Sequence, residues 1–434
     1  MRADDTAADL CASANFVRNN CVPGNRVAMR RALAITFDGI LQPLGYSQVA
    51  RVLMGLSERG FEYTLLSLER NAHLQEREHV ARVEIALRRA GVRWIRSMYT
   101  EGSGAAGILA NLRRATALAL RIVRSDPFDL IHARALHAGL VARAVRAATG
   151  VPYLLDARGY WVDEQVLEGR RFQTPLSYRV AKAAERALFA GAAAVVTLTE
   201  LQADDVRRGA PGPTRPVRCI PTCADYDDFR PIAGRIRPPV LAGLPPDARL
   251  LGVVGSLNQS YHVDETLKLA RLVLAAQPAF HLVVLSNQIT EYTRAIAAAR
   301  IPSERVLIAA ARHDEMPDIV PHLEWGLLLL REHAAKRASM PTKLAEFFAS
   351  GVRVAQFGCN PEVSSWVRRA SGGIVLASLS DEDLAAAAAA MTGDVVDVSR
   401  EMREATAAHF SLRAGIDRYA AILESLGERH AILR

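Results

Sequence analysis

Residues 337–355 read RASMPTKLAEFFASGVRVA, and the change of character along this stretch decides the fold class. It opens polar, becomes a short helix, stops at a glycine and runs into an apolar strand. Pro341 suits a first helical position, with Ser339 or Met340 as the cap region, and Gly351 suits the helix end. At about 100° per residue, Thr342, Lys343 and Glu346 share one side, while Leu344, Phe347 and Phe348 share another. The second side is core. The first lies at the positive end of a helix dipole beside free backbone N–H groups, a place that holds anions and notably phosphates. Lys343 adds a cation for phosphate oxygens. Glu346, one turn deeper, suits paired hydroxyls such as a ribose diol. A plain surface i,i+3 Lys–Glu pair accounts for the same spacing and is worth a few tenths of a kcal/mol.

The helix–strand alternation of this stretch extends in both directions. Before it run ALAITF, EYTLLSL, VRWIRSM, DLIHAR, PYLLDAR and AAVVTLT, separated by helical stretches such as SQVARVLMGLSERG and ALHAGLVARAVRAATG, each ending in glycine. A second set follows: LLGVVGSL, HLVVLSN, RVLIAAA, WGLLLL, VRVAQF and GGIVLA. Such alternation reads as α/β, a parallel sheet with helices on both faces, twice over. The proline- and glycine-dense stretch between the sets marks a boundary. The expected organisation is a disordered extension over 1–30, or one created by a start at Met1 rather than Met29. A first Rossmann-like domain follows over 31–215, then a linker over 216–248 and a second Rossmann-like domain over 249–400. The helical segment 401–434 would be able to cross back to the first domain.

Composition narrows the function. The chain has 434 residues, and half are hydrophobic. No apolar run reaches the roughly 18 residues that span a bilayer, and the acidic, polar N-terminus does not read as a secretory signal; the protein is read as cytoplasmic. The net charge of +8 is carried by arginine, since the lysines are Lys182, Lys268, Lys336 and Lys343 alone. That balance suits anionic substrates and does not form a nucleic-acid footprint. The stretch 107–125 sets Arg113, Arg114, Arg121 and Arg124 beside an apolar stripe. It is compatible with peripheral contact to an anionic membrane at the inner face, though a domain helix with a solvated basic face is the ordinary reading. Five scattered cysteines make no disulfide framework. Cys219 and Cys223 lack a second pair for zinc, and the eleven histidines show no H-E-x-x-H.

Two doubly wound domains in series imply a cleft, with ligands beyond the carboxyl ends of the strands. The residues there are Asp38 and Gly39, His132 and Arg134, Asp156 and Arg158, Thr199 and Glu200, Gly255 and Ser256, Ser286 and Asn287, and Arg312. Ordinary loop chemistry accounts for some of them. GSLNQS is a short Gly/Ser loop able to lead N–H groups to a phosphate. In LLDARGYWVDE, charges beside Tyr160 and Trp161 suit a sugar or an anionic acceptor, and equally a structural ion pair. His132 or Arg134 could handle a proton or a negative charge, although a lone histidine at a strand end is commonly structural.

In order along the chain, ITFDGILQPLGYSQV, IHAR, LLDARGYWVDE, VVTLTE, CIPTCADYDDF, GVVGSLNQSYHVDETL and SMPTKLAEFFASGVRVA resemble motifs of glycosyltransferase family 4, the retaining enzymes of GT-B fold, and its exopolysaccharide-type members in particular. The last is similar to that family's SPTKxxExLAxGxPV donor signature. The resemblance covers about residues 31–400. It implies a UDP- or GDP-sugar donor bound mainly by the second domain and a hydroxyl acceptor bound mainly by the first. It also implies transfer with retention, without a metal or other cofactor, in polysaccharide, glycolipid or glycosylated-metabolite synthesis. On the donor side it implies roles for Gly255, Ser256, Ser286, Arg312, Thr342, Lys343 and Glu346. On the acceptor side it implies Asp38, Gly39, Gln48, Asp156, Arg158 and Glu200, with Lys343, Arg134 and His132 at the reaction itself.

The chain also departs from the family. Many members carry two glutamates eight positions apart, and eight before Glu346 stands Ala338. The Arg/Lys pair common after the second domain's first strand is replaced by Ser256, Leu257, Asn258 and Gln259, with Lys343, Lys336 or Arg337 as substitutes. A His-x-His of some members reads His132, Ala133, Arg134. A non-catalytic GT-B subunit that binds a nucleotide or scaffolds a partner is therefore the second reading. A GT-B epimerase fits the fold but has no motif behind it.

Overall fold

A computed structural model describes residues 31–432 apart from 103, 210–214, 233–235, 371 and 394–396; the extension expected over 1–30 lies outside the described residues. The first sheet contains β1 Arg31–Thr36, β2 Glu62–Glu69, β3 Arg93–Met98, β4 Leu130–Arg134, β5 Tyr153–Asp156, β6 Ala194–Thr197 and β7 Val217–Cys219. Their spatial order is β3-β2-β1-β4-β5-β6-β7. The second contains β8 Arg249–Val254, β9 Phe280–Leu285, β10 Val306–Ala309, β11 Trp325–Leu329, β12 Arg353–Phe357 and β13 Ile374–Val375, in the order β10-β9-β8-β11-β12-β13. The pairings between these strands are all parallel. Helices cover both faces because these strands are apolar on both sides: Leu33, Ile35, Ile131 and Val195 pack one way, and Ala32, Ala34, Leu154 and Val196 the other.

The strand β7 begins inside the stretch expected as linker. Its three residues pair with β6, but the flanking prolines hide so short a strand in the sequence. The outgoing and returning chains run side by side where they pass between the two sheets. Ala224 donates to the Phe410 carbonyl at 3.0 Å, and Leu412 donates to the Ala224 carbonyl at 2.8 Å. The last helix, Leu412–Ile432, then lies on the first domain. Ile416, Tyr419, Leu423 and Leu426 join the core around Leu53 and Leu56. A Cβ on Gly55 would stand 2.2 Å from Ile416 Cδ1, so the Ile416 side chain seats directly on the Gly55 backbone.

The stretch 337–355 forms the helix Thr342–Ser350 and β12. Pro341 is the N-cap residue, with extended backbone (φ −65°, ψ 129°), and not the first helical position. The helix ends at Gly351, whose φ of +74° is a left-handed conformation that suits glycine. Phe347 and Phe348 are buried to 0% and 1% exposure, each contributing roughly 1.5–3 kcal/mol of apolar burial. A Cβ on Gly326 of β11 would fall 2.4 Å from the Phe347 ring, so the helix rests directly on the sheet. Arg353 and Arg249 both pair with Glu324, and Arg353 lies over the Trp325 ring at 4.4 Å; the arginine in VRVAQF is thus a structural brace.

The basic stretch 107–125 falls within the helix Ala105–Ser125. Ala115 and Ala119 pack on the first sheet, and Arg114 turns back to the Met98 carbonyl at 2.6 Å. It has the form of a domain helix with a solvated basic face. Among the described residues no helix is long and apolar enough to cross a membrane.

Candidate active site

The helix Thr342–Ser350 points its N-terminal turns at the end of β8. Lys343 Nζ donates to the Val254 carbonyl and lies 4.4 Å from the centre of the Tyr261 ring. The next residue, Gly255, has φ +112°, and a Cβ there would come within 3.0 Å of Lys343 Nζ. The left-handed φ favours glycine, and the lysine tip would have to shift a few tenths of an ångström for any side chain there. Glu346 is 7% exposed, which excludes the surface Lys–Glu pair. Burial pushes its carboxyl up to about 7, and nearby Lys343 only partly opposes this. Its side chain lines a cleft of about 930 Å³ between the two sheets, together with Arg51, His79, Asp225, Asn287, Arg312 and His313.

The loop after β8 is held from below. Gln288 Oε1 accepts the Leu257 N–H at 2.6 Å, Ser286 Oγ accepts the Gln288 N–H at 3.1 Å, and the Tyr292 hydroxyl donates to the Gly255 carbonyl at 3.1 Å. Ser286 is buried and braces this loop through Gln288, while Ser256 stands exposed on it. Arg312 opens to solvent and pairs with Asp314. Thr342 is half-buried at the helix start.

On the first sheet the structure gathers four of the expected residues into one ionic cluster, with His132 beside it. Arg134 Nε reaches Asp38 at 3.2 Å and its Nη1 reaches Asp156 at 3.1 Å; Arg158 lies 3.4 Å from the other Asp156 oxygen. Burial opposes ionisation of Asp156, but Arg158 and Arg134 outweigh it and hold the carboxyl below its usual range. His132 is 5% exposed, between Tyr63 and Tyr419. Burial lowers its pKa to about 4 despite the opposing pull of Asp156, so it is neutral at pH 7. Neither His132 nor Arg134 lines the large cleft. Both are enclosed at the carboxyl end of the central strand β4, and Arg134 spends its guanidinium on two carboxylates.

Two other expected acceptor-side residues also have structural duties. Gln48 clamps the backbone of Cys223, donating to its carbonyl at 2.8 Å and accepting its N–H at 3.3 Å. Gly39 is packed so closely that a Cβ would stand 2.7 Å from Glu69 Oε2. Glu69, which sequence reasoning missed, is fully buried and accepts the Ile40 and Leu41 N–H groups at 2.9 and 3.3 Å. Glu200 points to solvent beside Arg207.

With this geometry in place, comparison with known proteins adds a likeness over part of the chain. Residues 47–223 match the family model of a glycosyl transferase 4-like domain. This part of the chain is similar to glycosyl transferase 4-like domains. No curated protein matches the chain in sequence. Solved structures resemble it in fold over nearly its whole length. Sucrose-phosphate synthase from Thermosynechococcus elongatus is 13% identical, with 93% of this chain and 99% of that chain covered and a TM-score of 0.65. An Anabaena protein solved with UDP and glucose is 13% identical, with 91% and 99% covered and a TM-score of 0.61. A UDP-N-acetylglucosamine 2-epimerase is 12% identical, with 93% and 97% covered and a TM-score of 0.61. At such identities the likeness is one of fold, and the fold is GT-B.

The first domain meets the second along a polar seam. Its Glu164 lies 3.6 Å from Lys336, and burial raises the Glu164 carboxyl against the pull of that lysine. Thr222 donates to the Met340 carbonyl at 2.9 Å. From the other side, Glu362 accepts the N–H groups of Glu200 and Leu201 at 3.0 and 2.7 Å. Ala338, in the place of a glutamate, is fully buried here. Lys336 is therefore occupied with the first domain, and Lys343 is the lysine placed at the loop after β8.

Proposed function

We propose that the protein transfers a sugar from a UDP- or GDP-sugar to a hydroxyl acceptor with retention of configuration. The observation that carries this reading is the pair Lys343 and Glu346. One sits at the end of β8 beside the Gly255 turn, the other lines the cleft between the sheets. A cation and a helix N-terminus next to a carboxylate one turn deeper fit a diphosphate and a ribose diol. The likeness in fold to a protein solved with UDP and glucose agrees with it.

In this reading Lys343 and the helix dipole meet the charge that develops on the leaving diphosphate, in place of a metal. The acceptor attacks on the face from which the nucleotide departs, through an oxocarbenium-like state, and the leaving phosphate takes the acceptor's proton. Arg134 acts through Asp38, which it holds at the carboxyl end of the sheet with a 44% exposed side chain. Closure of the two domains brings donor and acceptor together.

Nucleotide release from a panel of sugar nucleotides, with and without glycoside acceptors, tests the proposal. Release that depends on the acceptor, with the anomeric configuration kept, supports it. Ala338 and the loop Ser256–Gln259 favour the second reading, a nucleotide-binding subunit without activity; binding without turnover would establish it. Acceptor-independent release of UDP would point to epimerase-type chemistry.

A further inference from the structure

The helix Thr342–Ser350 has no cap of its own. Its N-cap residue, Pro341, makes no side-chain hydrogen bond, and its first turn holds no acidic residue. Proline offers no side-chain acceptor for the free N–H groups, so no side chain at its start fixes where this helix begins. The approach to it is held from outside instead. Ahead of it runs a tight turn, Ala334–Ala338. Lys336 in that turn is 8% exposed and lies 3.6 Å from Glu164, in the helix Trp161–Leu167 of the first domain. Ala338 is fully buried, and a Cβ on Gly159, in the loop after β5, would stand 4.0 Å from its carbonyl oxygen. The Ser339 carbonyl accepts from Asn360 Nδ2 at 2.6 Å, and the Met340 carbonyl from Thr222 Oγ1 at 2.9 Å. Asn360 belongs to the second domain. Glu164 and Gly159 belong to the first, and Thr222 to the chain that leaves its sheet.

The pair of Glu164 and Lys336 is poorly suited to add stability. Burying an ion pair strips both charges of water, and replacing both with uncharged groups of similar shape is often neutral or stabilising. At 3.6 Å the contact is longer than a charge-assisted hydrogen bond. Burial raises the Glu164 carboxyl more than Lys336 lowers it, so loss of hydration outweighs the attraction. What the pair supplies is position. Any placement of the turn that parts the two leaves a buried charge alone, which is strongly unfavourable. The turn leads directly into the helix of Lys343 and Glu346.

We propose that Glu164 and Lys336 are positioning residues. By holding the turn Ala334–Ala338 against the first domain they set the start of the helix Thr342–Ser350, and with it the places of Lys343 and Glu346. The nucleotide seat is then complete only while the two domains touch at this seam. The proposal rests on the reading of Lys343 and Glu346 as that seat.

Two double variants of the full chain test it. Glu164→Gln with Lys336→Met removes both charges, and Glu164→Lys with Lys336→Glu exchanges them. Titration calorimetry with UDP and GDP reads the seat, amide hydrogen exchange at Leu344 and Glu346 without nucleotide reads the helix start, and the melting temperature reports the fold. The uncharged pair should melt close to the wild type. It should nevertheless bind the nucleotide roughly tenfold more weakly, within the range by which residues that touch no ligand alter binding, and exchange faster at the two amides. The exchanged pair should recover both. Wild-type affinity and exchange in the uncharged pair would overturn the proposal, and so would weak binding that persists in the exchanged pair. If the wild type binds neither nucleotide while the uncharged pair still speeds exchange, the donor reading fails and the positioning role stands.

Discussion

The Glu362 carboxylate of the second domain accepts the Leu201 N–H at 2.7 Å, at the start of a helix that belongs to the first. A cap supplied from across the seam ties helix stability to domain contact. Glu362→Ala removes the acceptor of two N–H groups at a helix N-terminus. It should cost about 1 kcal/mol, lower the melting temperature by roughly 2–4 °C and speed hydrogen exchange at Leu201. Unchanged exchange at that amide would show that the contact holds nothing.

Lys343→Ala should leave the fold intact, because its ammonium contacts only a carbonyl at the end of β8 and a ring face. Turnover should fall by a factor corresponding to roughly 3–4 kcal/mol, as in comparable electrostatic sites. Steady-state rates with saturating donor make the comparison, and wild-type turnover in the variant would remove Lys343 from the mechanism.

Gly255→Ala combines two faults. It places a side chain at φ +112° and sets its Cβ 3.0 Å from Lys343 Nζ. The backbone penalty is of order 1–3 kcal/mol. The variant should therefore melt earlier and bind nucleotide more weakly, whereas Gly243→Ala, with open space at its Cβ, should do neither. Calorimetric melting with and without nucleotide separates the two losses.

Glu346 should leave a signature in pH. Its folded pKa is raised to about 7 from 4.5 by burial, so between those values the folded state binds more protons than the unfolded one. Stability from this group is present in full below about 4.5 and is lost as pH rises through about 7. Wild type should lose melting temperature relative to Glu346→Gln across that window. Nucleotide affinity should run the opposite way and rise with pH, since the carboxylate is the better acceptor for ribose hydroxyls. Parallel pH profiles for the two proteins would show that Glu346 does not titrate there.

The period of the 337–355 stretch was enough to put Lys343 and Glu346 on one face and the two phenylalanines on the other, because helix geometry is local. Alternation of strands and helices was likewise enough for the two sheets. Duties assembled across the chain were not legible. Glu69 lies 29 positions from the Ile40 N–H it accepts, and Gln288 lies 31 from Leu257. Nothing in the local sequence separates such groups from ordinary surface residues. Tyr160 and Trp161 read as one aromatic pair, yet the structure parts them: Tyr160 bonds Asp205 under Lys182, while Trp161 joins His137 and Phe172. His132 and Arg134 looked reactive because they end a strand. Their enclosure by Asp38, Asp156 and Tyr419 depends on segments far apart in the chain.

The account turns on a nucleotide seated between Lys343 and Glu346, and titration calorimetry with UDP and GDP on wild type and Glu346→Ala tests it most directly. The account predicts that one of the two binds the wild type and that the variant binds it at least roughly tenfold more weakly, a loss of about 1.4 kcal/mol. Equal affinity in the two proteins, or no binding of either nucleotide to the wild type, would contradict it.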